Sequence, residues 1–114
     1  MIFSLSLRNK MKKETIERIR KFTSDRDWNK YHTPNALAKT IAIESTELLE
    51  CFQWSENYNI EKVKEELADV IVNCQNLADE LNLDLDEVVN KKMDQNEKKY
   101  PVEKFKGVAK KYNE

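Results

Sequence analysis

Apolar residues recur along most of the chain at the three- and four-residue spacing of amphipathic helices. One glycine and two prolines in 114 residues leave few interruptions. The pattern predicts an all-α fold of about four helices in an up-down bundle, over residues 13–26, 34–53, 60–81 and 84–100. It divides the chain into a frayed extension at 1–12, a helical domain at 13–101 and a lysine-rich, partly helical tail at 102–114.

The expected helix ends carry recognisable capping residues. Thr33 followed by Pro34 predicts the start of the second helix, because a hydroxyl caps free N–H groups and proline suits the first helical position. Asn59 is the predicted cap of the third helix. Asp84, with a glutamate three residues later, resembles a capping box that opens the fourth. Pro101 stops that helix, because the residue before a proline avoids the helical conformation.

The second helix places a carboxylate where an apolar residue is expected. At 100° per residue, Glu44 falls in the middle of the apolar stripe. Glu47 lies at the edge of the same face, whereas Glu50 points well away. A buried carboxylate needs a partner or a metal, or it stays protonated. The stripe consists of Leu37, Ile41, Leu48 and Cys51.

The third helix has a polar stripe beside its apolar one. Glu66, Asp69 and Asn73 follow one another at about one turn each, and acids three residues apart repel. A hard divalent cation removes that repulsion, and oxygen ligands suit Mg²⁺, for which Mn²⁺ can substitute. The predicted metal ligands are therefore Glu44, Glu47, Glu66 and Asp69. The apolar stripe consists of Val63, Leu67, Val70, Cys74, Leu77 and Leu81.

Other interpretations of these acids stay open at this point. They could be edge residues paired with lysines, or the chain could be a non-catalytic helical oligomerisation or regulatory module. Neither explains Glu44 on an apolar stripe. A di-iron carboxylate bundle is disfavoured, because that design uses Glu-x-x-His motifs and the single histidine, His32, lies in a predicted loop.

The charge of the chain indicates which partners to expect, and its cysteines indicate the cellular compartment. The net charge is −1, so no overall field attracts nucleic acid or a membrane, and neither is expected as a partner. Eight acids against two lysines fall within 44–69, and eight lysines against four acids within 91–114. Cys51 and Cys74 form no CxxC pair and occupy apolar helical positions, which favours free thiols in a reducing cytoplasm.

The motifs resemble those of a known family. The ExxE of IAIESTELLECFQW (Glu44, Glu47) and the ExxD of EELADVI (Glu66, Asp69) resemble the MazG-like nucleotide pyrophosphohydrolases. They resemble most the dCTP pyrophosphatase branch of the all-α NTP pyrophosphatases. The segments RDWNKYHTP and KKMDQNEKKYP extend the likeness over about residues 16–101.

The resemblance implies hydrolysis of a nucleoside triphosphate to the monophosphate and pyrophosphate, in which Mg²⁺ on the four acids meets the triphosphate. Glu47, together with Glu44, is the candidate catalytic carboxylate that orients or deprotonates water. The resemblance places Trp28 and Trp54 in a base pocket, although tryptophans near helix ends also complete cores and interfaces. The remaining residues implied near the nucleotide are Lys92, Asn96, Lys99 and Tyr100 of the fourth helix.

Two positions depart from the family pattern. Ile19 stands where related deoxycytidine enzymes carry a histidine, and Asn73 stands where they carry a tyrosine; both positions belong to the base and sugar pocket. We therefore expect Asn73 to face the nucleotide and the base preference to be looser or different. The small size favours a homodimer or homotetramer.

Overall fold

The structure, a computed structural model, describes residues 11–54, 56–111 and 113. All regular structure in this part of the chain is helical, so the predicted all-α class is confirmed. Residues 1–10 of the predicted N-terminal extension lie outside the described residues. No helix within the described ranges is long and apolar enough to cross a membrane. The elements are α1 (Lys13–Asp25), a short 3₁₀ helix (Asn29–Tyr31), α2 (Pro34–Glu50), α3 (Ile60–Glu80), α4 (Leu85–Lys99) and α5 (Val102–Phe105).

The predicted caps of the three longer helices are confirmed. Thr33 Oγ1 accepts a hydrogen bond from the Ala36 N–H at 3.1 Å. Asn59 Oδ1 accepts from the Glu61 N–H at 3.0 Å, and an Asp84 carboxylate oxygen accepts from the Asp86 N–H at 2.9 Å. Each side chain satisfies an N–H group that the first turn of a helix leaves without a partner. The bounds of α2, α3 and α4 at their N-termini therefore follow from the sequence.

The C-terminal end of α2 differs from the prediction by three residues. The helix ends at Glu50, not near residue 53. The Cys51 N–H bonds the Leu48 carbonyl at 3.2 Å and the Phe52 N–H bonds the Leu49 carbonyl at 3.0 Å, so the chain tightens into three-residue turns. This tightening leads directly into the segment that holds Trp54.

The chain divides into two compact units, one ending at Asn82 and the other beginning at Leu83. In the first unit, α3 packs mainly against α2 and more lightly against α1. Asn82 follows the end of α3 with a φ of 57°, the left-handed conformation that asparagine tolerates after a helix. In the second unit, the ring of Tyr100 meets that of Phe105 edge to face at 5.0 Å, which fixes α5 beside the end of α4.

Burial in the first unit agrees with the predicted apolar stripe of α2, whose members are all buried or half-buried, and corrects the predicted stripe of α3 in part. Leu67 and Leu81, two members of the predicted stripe of α3, are 48% and 47% exposed. The side of α3 that meets α2 is the one carrying Glu66, about 100° around the helix from Leu67. Periodicity located the partly packed face of α3 but misplaced its edges, since the other four members of the predicted stripe are half-buried: Val63, Val70, Cys74 and Leu77. Among the described residues of this unit, those that are buried are Leu37 and Ala78, with the polar Thr23, Glu66 and Gln75.

One bidentate ion pair ties α1 to the C-terminal end of α3. Arg20 Nε donates to Asp79 Oδ2 at 3.0 Å, and Arg20 Nη2 donates to Asp79 Oδ1 at 2.8 Å. The buried Gln75 amide also donates to Asp79 Oδ1 at 3.0 Å. Parallel N–H···O bonds of this kind fix geometry as well as charge. The pair therefore helps to set the position of α1 against the helix that carries Glu66 and Asp69.

Candidate metal centre and active site

Three predicted metal ligands meet where α2 packs on α3. Glu44, Glu66 and Asp69 each offer a carboxylate oxygen, and these oxygens all lie within 4.8 Å of one another. Glu66 and Asp69 share a side of α3 because residues three apart lie about one turn apart. Together with Glu47, which interacts with Glu44 and Glu66, these residues are called the carboxylate cluster below.

Two oxygen atoms of the carboxylate cluster are buried without a hydrogen-bond partner. They are Oε2 of Glu44 and Oε2 of Glu66. Glu66 is 6% exposed, Glu44 is half-buried and Asp69 is exposed. A carboxylate oxygen removed from water without a partner is costly. Converging carboxylates that are short of donors are what a hard divalent cation requires, so the residues present fit Mg²⁺ or Mn²⁺.

Glu47 lies at the exposed edge of the cluster, as its position on α2 predicted. Hydrogen bonding to Glu44 and the charge of that residue, followed by contact with Glu66, raise the pKa of Glu47 above its ordinary value of 4.5. Neighbouring carboxylates disfavour a further negative charge, and a shared proton relieves the repulsion. The arrangement can therefore hold a proton at the side of the cluster that faces solvent.

Lys62 is the residue at this site that the sequence reasoning missed. Its Nζ lies 2.9 Å from Glu66 Oε1. This hydrogen-bonded ion pair is the largest of the influences that lower the pKa of Glu66. The available signal was spacing, since Lys62 precedes Glu66 by four residues and such pairs face each other on a helix. One oxygen of Glu66 is thus held by a lysine while the other has no partner.

Asn73 lies one turn beyond Asp69 on α3, as predicted, and is half-buried. Its amide nitrogen donates to the Asp69 carbonyl at 2.9 Å, so the side chain folds back onto its own helix. The amide oxygen is the acceptor that Asn73 can offer to a ligand. Its contact with a nucleotide remains a prediction.

The two tryptophans occupy different surroundings. Trp28 is 46% exposed, and its ring meets that of Phe22 edge to face at 5.6 Å. Trp54 is 86% exposed and lines an open depression of about 510 Å³ just after α2. Phe52 and Tyr58 stand in the same depression with ring centres 4.9 Å apart. This aromatic surface can stack a flat ring, while Trp28 already has a packing partner.

The predicted ligands of the fourth helix lie in the second compact unit. Asn96, Lys99 and Tyr100 are half-buried and Lys92 is exposed. The Asn96 amide contacts Met93 Sδ at 3.9 Å. Lys92, Asn96 and Lys99 share one side of α4 by their spacing, and their contact with phosphate remains a prediction.

Comparison with known proteins places the chain in a family. Residues 39–114 match the MazG-like family. This chain belongs to the MazG-like family. Its relatives include dCTP pyrophosphatase 1 of Mus musculus, 34% identical over 88% of this chain and 67% of the relative. The Homo sapiens protein of that name is 32% identical over the same shares.

A solved structure agrees with this assignment. The crystal structure of a pyrophosphatase from Archaeoglobus fulgidus matches with a TM-score of 0.70 and 41% identity. The match covers 77% of this chain and 90% of the archaeal one. The predicted family and the prediction of an enzyme of the pyrophosphatase class are confirmed, and a non-catalytic module is set aside.

Proposed function

We propose that this MazG-like chain hydrolyses nucleoside triphosphates, (d)NTP, to the monophosphate and pyrophosphate, with Mg²⁺ held by Glu44, Glu47, Glu66 and Asp69. We propose that the biological role of this hydrolysis is to remove unwanted nucleotides from the nucleotide pool. The observation that carries the proposal is the pair of buried Oε2 atoms, of Glu44 and Glu66, which have no protein partner. Mn²⁺ meets the same donor requirement.

The metal supplies charge neutralisation between the acids and the triphosphate, and it lowers the pKa of bound water. The protein's own residues position the ligand oxygens and accept the proton of the attacking water. Glu44 and Glu66, fixed by the packing of α2 on α3, hold their oxygens in place before substrate arrives. That preorganisation avoids reordering the site at the moment of reaction.

Glu47 is the proposed base. It lies at the exposed edge of the carboxylate cluster, where water and substrate arrive, while Glu44 beside it orients it. Water attacks the α-phosphorus, its proton passes to a Glu47 oxygen, and the bond to the bridging oxygen breaks so that pyrophosphate leaves with the electron pair. Attack at the α-phosphorus follows from the family, because charge placement alone does not select it.

The base pocket is proposed from the aromatic residues. Trp54, beside Phe52 and Tyr58, offers a face on which a base can stack, with Trp28 as a second candidate. Lys92, Asn96, Lys99 and Tyr100 are the proposed phosphate and sugar contacts from α4. Stacking tolerates every base. Asn73 and Ile19 replace a tyrosine and a histidine of the deoxycytidine enzymes, so we expect weaker or different selection than the relatives' name, dCTP pyrophosphatase, implies.

A homodimer or homotetramer is part of the proposal. Ile60, Leu67 and Ile71 fall within a narrow stripe of α3 and are 52%, 48% and 44% exposed. Apolar side chains aligned in this way are typical of an interface. Light scattering at micromolar concentration should give at least twice the chain mass; a monomer that is active would contradict the proposed oligomer.

Cys51 and Cys74 are unpaired thiols, which supports the proposal that the protein works in a reducing cytoplasm.

The deciding experiment is hydrolysis of the four common dNTPs in ¹⁸O-labelled water, with Mg²⁺ or with a chelator. Label should enter only the monophosphate, the chelator should abolish turnover, and kcat/KM should vary little among bases or favour one other than cytosine. Label in pyrophosphate, or orthophosphate in the first turnover, would refute the reaction. Strong dCTP selectivity would refute only the proposal about the base.

A further inference from the structure

Lys62 brings a positive charge into the carboxylate cluster from the first turn of α3. Its Nζ lies 2.9 Å from Glu66 Oε1 and 4.0 Å from Glu65 Oε2. The two partners of the closer pair differ in exposure: the Lys62 side chain is 57% exposed and that of Glu66 is 8% exposed. A largely solvated cation is therefore paired with a buried anion.

The carboxylate cluster is stabilised by a nearby positive charge, and in the absence of a metal a side chain must supply it. Several carboxylates that converge within 4.8 Å repel one another. An ammonium on a four-carbon stem can approach and withdraw without any change in the helix. Lys62 occupies one oxygen of Glu66 and leaves Oε2 buried and unpartnered.

We propose that Lys62 is the resident counter-ion of the metal-free carboxylate cluster, which a divalent cation displaces or repels on binding, so that Lys62 sets the metal affinity. This inference rests on the metal centre proposed above. Glu66 is shared between two cations, and like charges repel at this range. Lys62 therefore weakens metal binding while it stabilises the metal-free protein.

Lys64 provides a matched control on the same helix. Its Nζ lies 3.1 Å from Glu61 Oε1, and its side chain is 63% exposed, close to the value for Lys62. Neither member of that pair belongs to the carboxylate cluster. Lys62→Met and Lys64→Met therefore each remove one lysine charge from α3, and they differ in whether the nearest acid partner belongs to the cluster.

The test is direct binding of Mn²⁺, without nucleotide, followed by the electron paramagnetic resonance signal of the free ion. The lysine end of the pair is solvated, which limits its contribution to about 1 kcal/mol, so Lys62→Met should bind Mn²⁺ about fivefold more tightly than the native protein. Lys62→Arg, which keeps the charge, and Lys64→Met should both stay close to the native affinity.

Thermal unfolding gives a second readout. In chelator, Lys62→Met should melt below the native protein because the cluster has lost its counter-ion. In saturating Mn²⁺ the two melting temperatures should converge, since the metal replaces the lost charge. If Lys62 had a structural role alone, Lys62→Met would lower the melting temperature by the same amount in chelator and in saturating Mn²⁺.

Each outcome decides between separate claims. Unchanged Mn²⁺ affinity in Lys62→Met would show that the lysine is simply solvated, and weaker affinity would show that it orients Glu66 for the metal; either result overturns the inference while the metal centre stands. Failure of the native protein to bind Mn²⁺ at all would overturn the proposed metal centre, and this inference with it.

Discussion

Two carboxylates of α3, Asp79 near its C-terminal end and Glu66 in its N-terminal half, differ in how fully their oxygens are hydrogen-bonded. At the C-terminal end, both oxygens of Asp79 are satisfied, by the guanidinium of Arg20 and the amide of Gln75. In the N-terminal half, Glu66 has Lys62 on one oxygen, while the other is buried with no partner. The more buried of the two acids is thus the less satisfied one.

The difference separates an acid whose two oxygens are both bonded within the fold from one that keeps an oxygen without a partner. Arg20 matches the planar carboxylate of Asp79 with two parallel bonds, which leave little capacity for another cation. A single ammonium on Glu66 neutralises the charge in part and is readily exchanged. Partner geometry, more than acidity or burial, therefore marks which carboxylates of α3 are available for chemistry.

The largest effect expected from this comparison is on catalysis. Glu44→Gln and Glu66→Gln replace an unpartnered oxygen by an amide that binds a divalent cation poorly, so each should lower kcat/KM by at least about a hundredfold. Glu47→Gln and Asp69→Asn should act in the same direction. Pyrophosphate release and circular dichroism measure the rate and the helical fold separately.

Glu44→Gln should also raise stability in chelator, because it removes a repelling charge from the cluster. Asp79→Asn serves as the control at the other end of α3 and should keep most of the activity at a temperature where it is folded. Near-native turnover in any two of the four cluster variants would remove the assignment of these acids as metal ligands.

The next largest effect concerns stability. Asp79→Ala removes the bidentate partner of Arg20 and leaves the buried Gln75 amide without its acceptor. Leaving a buried polar group unsatisfied costs about 1–3 kcal/mol, so the free energy of unfolding should fall by about that amount. Urea denaturation measures it.

The control for Asp79→Ala is the exposed ion pair of Lys21 and Asp25 within α1, in which Lys21 Nζ lies 2.6 Å from Asp25 Oδ2. Asp25→Asn should change the free energy of unfolding by less than about 0.5 kcal/mol, because exposed ion pairs within a helix contribute little. Equal effects of the two changes would mean that Asp79 holds α1 to α3 no better than a surface pair does.

Helix positions and caps were predictable because they depend on local chemistry. Thr33, Asn59 and Asp84 each bond N–H groups within three residues of their own position. Glu44 was predictable as an anomaly, since a carboxylate on an apolar stripe conflicts with the period of the helix. These features need only the sequence of one helix.

Features that depend on contacts between helices were not predictable. Arg20 and Asp79 are 59 residues apart in the chain, and nothing local links them. The predicted apolar stripe of α3 included Leu67, which is 48% exposed, and did not include Glu66, Gln75 and Ala78, which are buried. Periodicity identifies an apolar stripe but does not say whether that stripe meets a helix of the same chain or another surface.

The smallest effect expected is on the pH dependence of stability in chelator, and it concerns Glu47. Contact with Glu44 and Glu66 raises the pKa of Glu47 above 4.5 in the folded protein, so between 4.5 and the raised value the folded state binds more protons than the unfolded state. The free energy of unfolding should therefore fall as the pH rises through this window. Glu66 acts in the opposite sense, because Lys62 lowers its pKa: the stability it contributes is present above 4.5 and is lost as the pH falls below.

The two windows lie on either side of pH 4.5, so a single variant isolates the first. Glu47→Gln cannot ionise, and it should become more stable relative to the native protein as the pH rises from 4.5 towards neutrality, with the difference levelling off above the raised pKa. Urea denaturation in chelator at several pH values measures the difference, in which background titrations common to both proteins cancel. Saturating Mn²⁺ should abolish or reverse it, because the metal favours the ionised carboxylate at this position. A difference that stays constant with pH would mean that Glu47 does not share the crowding of its neighbours, and that the cluster consists of Glu44, Glu66 and Asp69 alone.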